Sequence, residues 1–169
     1  MKNMLRLAMP VLVAGTIATA CQTVQTTQAG AVGVQRSQLM MVSAQEVEQA
    51  SNQQYQQMLA EARRKNALDR DPATVQRVRR IVLRLAAQSG AFRPDAPSWS
   101  WEVHVFSSNE LNAWCMAGGK MAIYTGLIER LSLTDDEIAA VMGHEIAHAL
   151  REHARERVSK SMATGLGIS

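Results

Sequence analysis

Two histidines four residues apart, His144 and His148, bracket Glu145 in the stretch VMGHEIAHAL, residues 141–150. The rest of the stretch is apolar, and a carboxylate among Val, Met, Ile, Ala and Leu is costly to desolvate unless something compensates it. On a helix advancing about 100° per residue, Ile138, Val141, Met142, Ile146 and Ala149 share one broad arc. Glu145 falls inside that arc, and the two histidines lie together on its edge. Side chains at i and i+4 are neighbours, so both imidazoles can bind one metal ion. The pattern H-E-x-x-H thus predicts two neutral nitrogen ligands to zinc and a carboxylate acting as general base toward water and as proton donor to the leaving amine. Zinc lowers the pKa of its water to about 7 and polarises a scissile carbonyl. The competing reading is a helix that buries two hydrogen-bonded histidines and an ion-paired glutamate. The small residues Gly143, Ala147 and Ala149 around the ligands favour the metal.

The other candidate groups are weaker. On a continuous helix over 134–158, His153 lies about 140° round from His148 and points away from the pair. Glu152 extends the i, i+4 row but sits about 12 Å along the axis from His144, too far for one ion with ligand bonds near 2 Å. No acidic residue follows Glu156. The expectation is one Zn2+ per chain, with the third protein ligand supplied from elsewhere in the fold or by residues not in this chain, and the chain a piece of a longer enzyme. His104 reads as a structural histidine on a strand. Cys115 lies in an apolar run with no base or activating charge beside it, and reads as a small hydrophobe rather than a nucleophile.

Several elements must position this motif. Residues 44–69 contain good helix formers and no Gly or Pro, with a partial apolar stripe at Val47, Tyr55, Met58, Leu59 and Ala62. Asp71-Pro72 reads as an N-cap with proline at the first helical position. The helix it starts carries Val75, Val78, Ile81, Val82 and Leu85 at spacings of three and four, and Gly90 ends it. Its arginines 77, 79, 80 and 84 read as a solvated face. WSWEVHVF, residues 99–106, alternates as a strand. LNAWCMAGGKMAIYTG reads as two strands joined by a tight turn at Gly118-Gly119, and LIERLS as a short helix. Thr134 and Glu137 form a capping box that opens the motif helix.

Composition bounds the class. A chain of 169 residues with 47% apolar and 20% charged residues forms one domain with its own core. The formal charge is +3, but the first twenty residues hold Lys2 and Arg6 and no acid; without them 16 basic residues face 15 acidic ones. No basic block points to nucleic acid. Lys2 and Arg6 precede the short apolar stretch LAMPVLVAGTIATA, which reads as a signal peptide over residues 1–20. ATAC then resembles a bacterial lipobox with Cys21 as the lipidated residue, although Ala18 stands where leucine is usual; ATA also fits ordinary signal cleavage. Both alternatives export the protein. With Cys21 lipidated, Cys115 has no disulfide partner. Residues 21–43 are expected to form a lipid-anchored tether, and residues 44–169 the N-terminal part of the metallopeptidase domain.

From Glu110 to Val158 the chain resembles the HtpX/Oma/CAAX-protease group of zinc endopeptidases, metallopeptidase family forty-eight. The resemblance is carried by N-A at 112–113, G-G-K at 118–120, Y-T-G-L at 124–127 and the H-E-x-x-H motif, with RSQLMMVS at 36–43 similar to the exported lipoprotein branch. It implies an α+β, zincin-like (gluzincin) partial domain with helices around a small sheet and the motif helix central. It implies His144 and His148 as zinc ligands, Glu145 as acid/base, and a strand at Asn112 and Ala113 that binds peptide by strand addition. It places the third ligand, a glutamate, on a later helix expected beyond residue 169. The expected function is a zinc-dependent metalloendopeptidase on the periplasmic face of the outer membrane, acting on unfolded or misassembled envelope proteins. The runner-up is a non-catalytic, chaperone-like peptide-binding lipoprotein. A soluble periplasmic location is the alternative to the anchor.

Overall fold

Side-chain caps set the starts of three helices in the computed structural model, which describes residues 22–28 and 36–166. The signal segment 1–20 and Cys21 lie outside the described residues. Ser43 caps helix α1 (Ala44–Arg64) in a capping box with Glu46. Asp71 caps α2 (Pro72–Ala86), its carboxylate accepting from the backbone N–H groups of Ala73 and Thr74. Strands β3 (Glu102–Phe106), β4 (Ala113–Met116) and β5 (Lys120–Tyr124) follow, then α3 (Thr125–Arg130), α4 (Asp135–Leu150) and α5 (His153–Gly165). Near the N-terminus β1 (Gln22–Val24) pairs antiparallel with β2 (Gln38–Met40). Among the described residues no helix is long and apolar enough to cross a membrane.

The fold is α+β. The main sheet has the order β3-β5-β4, with β3 parallel and β4 antiparallel to the central β5. One face, through Val103, Val105, Met121 and Ile123, packs against α2 and α4. The other, through Phe106, Ala122 and Tyr124, packs against Tyr55, Leu59 and Ala62 of α1. Both parities of β3 and β5 are therefore buried, because helices cover both faces. The hairpin between β4 and β5 turns where expected: Gly118 and Gly119 take φ of 76° and 79°, which L residues with a Cβ rarely adopt. Gly126 serves closeness instead, since a Cβ there would lie 2.4 Å from the backbone of Asn109. That contact lets Gly126 N–H bond to the Ser108 carbonyl and seats α3 under the sheet.

Three expectations of continuity give way. Helix α1 stops at Arg64 rather than running to 69, because Asn66 and Asp69 take positive φ, a region that short polar side chains tolerate. Asp69 then accepts from the Val105 backbone N–H and bonds His104, tying the turn to the sheet. The second helix stops at Ala86, before Gly90, and passes into a short 3-10 turn at Ser89–Ala91. The motif helix does not run through to 158. It ends at Leu150, and α5 begins at His153 after Glu152 with φ of 51°.

Part of the segment read as a tether packs on this break. Gln38 Nε2 donates to the Arg151 carbonyl at 2.9 Å and to Glu156 at 2.8 Å, and Thr26 Oγ1 also donates to Arg151. A carbonyl left open by the end of α4 is thereby satisfied. Glu156 is 5% exposed and pairs with Arg36 and Lys160. Burial is the strongest single influence on Glu156 and opposes its ionisation. Hydrogen bonds from Lys160 and Gln38 and the charge of Arg36 together outweigh it and hold the carboxyl below its ordinary value. A lowered folded-state pKa contributes stability that is present above the unfolded value of about 4.3 and is lost as pH falls through the folded one. Glu156→Gln is therefore expected to melt with a shallower loss of Tm than the parent on acidification below about pH 4.3. Parallel Tm–pH curves for the two proteins would show that this carboxylate is not a source of acid sensitivity.

Candidate active site

The motif helix is anchored at its start. Thr134 and Glu137 cap it reciprocally, and Asp135, Asp136 and Glu137 place negative charge in the first turn, where the helix dipole favours it. Ile138 and Met142 are fully buried, and with Ile146 and Leu150 they fix the helix against the core. The rotation this imposes leaves His144 exposed and Glu145 and His148 half-buried.

The histidine pair closes as its spacing predicts. The Nε2 atoms of His144 and His148 lie 3.0 Å apart, and the ring centroids 4.5 Å apart. Two zinc–nitrogen bonds of about 2.0–2.1 Å at a tetrahedral angle span roughly 3.3 Å, so the donors already stand within a few tenths of an ångström of that chord. Two imidazole lone pairs facing each other at this distance need a proton or a cation between them, and neutral nitrogen donors suit zinc. The residues fit the ion as two of its ligands. Among the described residues, no group of three or more His, Cys, Asp and Glu is arranged to hold a metal. Glu152 does not join the pair: its two carboxylate oxygens are taken by Arg93 at 2.6 Å and Arg155 at 2.7 Å.

A cavity of about 510 Å3 opens beside the pair. Glu145 and His148 line it from α4, Trp114 and Cys115 from β4, and Trp99 and Glu48 from other parts of the chain. Strand β4 pairs only with β5 among the described residues, so its second edge carries unpaired backbone groups. Asn112 and Ala113 sit at the start of this strand. The Asn112 carbonyl accepts from Tyr124 N–H and Ala113 packs against the core. The cavity wall is formed by the next residues, Trp114 and Cys115. Burial, and then the negative charge of Glu145, push the Cys115 thiol up, which keeps it a thiol at neutral pH and agrees with its reading as a non-nucleophile.

The remaining histidines divide. His104 is buried outside the cavity, hydrogen-bonded to Asp69 and Glu102 and packed beside Tyr55. His153, expected to point away, instead meets His148: their Nδ1 atoms are 2.6 Å apart, and His153 also lines the cavity. The break at Glu152 produces this contact. No glycine, asparagine or proline announces the break, so the local sequence carried no signal for it.

Residues 72–168 match the profile of Peptidase family M48. The chain is 30% identical over 125 residues, 73% of its own length, to the mitochondrial metalloendopeptidase OMA1 of Bos taurus. It is 27% identical over 154 residues, 91% of its length, to the metalloprotease LoiP of Escherichia coli strain K12. It is 40% identical over 63 residues, 37% of its length, to the mitochondrial metalloendopeptidase OMA1 of Arabidopsis thaliana. The chain spans less than two thirds of each: 23%, 55% and 13% of their lengths. No solved structure matches it.

Proposed function

Because this chain belongs to peptidase family M48, we propose that it carries the catalytic helix of a zinc-dependent metalloendopeptidase of the bacterial cell envelope. The observation that carries the proposal is the 3.0 Å approach of His144 and His148 Nε2, with Glu145 on the same cavity wall as an edge strand. In this reading the domain is zincin-like. His144 and His148 hold zinc, which when bound acts as a Lewis acid on the scissile carbonyl and on water. Glu145 takes the proton of the attacking water and passes it to the leaving amine nitrogen. The free edge of β4, starting at Asn112 and Ala113, holds an extended peptide by main-chain hydrogen bonds, and Trp114 and Trp99 offer apolar surface to its side chains. A site that reads backbone rather than sequence suits unfolded or misassembled envelope proteins as substrates. Export by residues 1–20 and lipidation at Cys21 would hold the enzyme to the outer membrane on its periplasmic face.

A second reading is a non-catalytic, chaperone-like peptide-binding lipoprotein that uses the same cavity. It is favoured by a donor set of two among the described residues. One experiment separates the two. Protein produced from its natural coding sequence, purified and assayed for metal and for casein hydrolysis, is expected to hold one zinc per chain and to cleave casein. Casein bound without cleavage by zinc-loaded protein would favour the second reading, and protein that neither takes up zinc nor binds casein would defeat both.

A further inference from the structure

The contact between His148 and His153 assigns the latter a task. We propose that His153 is a positioning residue for the metal-binding pair: its Nδ1 accepts the Nδ1 proton of His148 and so commits His148 Nε2, as a bare lone pair, to the position facing His144. This rests on the zinc reading given above. An imidazole that binds metal through Nε2 must carry its proton on Nδ1, and the partner of that proton fixes both tautomer and ring direction. Here the partner lies 2.6 Å away, Nδ1 to Nδ1, with ring centroids 4.8 Å apart. On the opposite side of the His148 ring, Nε2 faces His144 at 3.0 Å. The two contacts use the two nitrogens of one ring, so the ring that holds the proton between the Nδ1 atoms fixes what His148 Nε2 offers to His144.

The chain is built to bring His153 there. A continuous helix would carry it about 140° away from His148. Glu152 at φ 51° and ψ 37° turns the chain back, a left-handed conformation that is unfavourable for a non-glycine residue. The carboxylate of Glu152 is held on both oxygens, by Arg93 and Arg155. The carbonyl of Arg151 just before it is held by Gln38 and Thr26, and Arg155 is itself tied to the Val42 carbonyl. Partners from three distant segments thus converge on the break whose product is the His148–His153 contact.

The test compares the parent with His153→Phe, which removes the acceptor, and His153→Asn, whose Oδ1 takes the place of Nδ1. Zinc affinity is measured by competition with a chromophoric chelator, and the tautomer of His148 in the zinc-free protein by long-range 15N–1H NMR. The Phe variant is expected to bind zinc about 10–100-fold more weakly and to lose the Nδ1–H preference of His148, while the Asn variant stays close to the parent in both. A Phe variant with parental affinity and tautomer would overturn the proposal. So would a parent whose zinc-free His148 carries its proton on Nε2, a measurement that requires no variant to fold. Failure of the parent to bind zinc would instead strike the proposed function, leaving the tautomer result to judge His153 on its own.

Discussion

Glu145→Gln is expected to lower casein hydrolysis by about 10²–10⁴-fold while the protein keeps its zinc. The substitution preserves the size and the hydrogen-bonding reach of the side chain but removes the group that can take a proton. Glu145 lines the cavity together with His148 and with Trp114 and Cys115 of β4, so it stands where peptide and water would meet. The Cys115 thiol on that wall is pushed up by burial and by Glu145 itself, and so remains protonated. His144 and His148, the proposed zinc ligands, are untouched, and metal content should match the parent. Hydrolysis at the parental rate by the purified variant would refute the assignment of Glu145 as base, and loss of zinc would mean that the carboxylate holds the metal rather than the proton.

His148→Ala should show the complementary pattern, with zinc lost first and activity lost as a result. Removing one of two nitrogens that stand 3.0 Å apart leaves a single imidazole on the helix. Changing an outer partner of a ligand costs about 10–100-fold in metal affinity, and deleting the ligand itself is expected to cost more than 100-fold. The fold should survive. His148 is only half-buried, and the residues that dock α4 are Ile138, Met142, Ile146 and Leu150. The checks are metal analysis after dialysis and a melting curve. A folded variant that retains full zinc would remove His148 from the site. Together the two substitutions separate holding the metal from moving the proton, which lost activity alone would not do.

Local chemistry made much of this molecule legible. Thr134 with Glu137 and Asp71 with Pro72 mark helix starts because a cap satisfies donors within one turn. Gly118-Gly119 marks the hairpin because the turn needs positive φ. His144 and His148 meet because four residues are about one helical turn. None of these features requires knowledge of any distant segment.

What only the tertiary structure decided is where the chain stops obeying its local pattern. The end of α1 is set at Asn66 and Asp69, with Asp69 tied to β3. The end of α4 is set at Glu152, whose left-handed backbone is held by Arg93, 59 positions earlier in the chain, and by Arg155. The strand pair β1–β2, inside a stretch that reads as a tether, closes on that same break. The stabilising partners in these cases are remote in sequence, so nothing within a turn of Glu152 reveals that its unfavourable backbone will be compensated. Helical spacing alone brings His144 and His148 together, whereas His153 meets His148 through the break at Glu152, which Arg93 holds from a remote part of the chain.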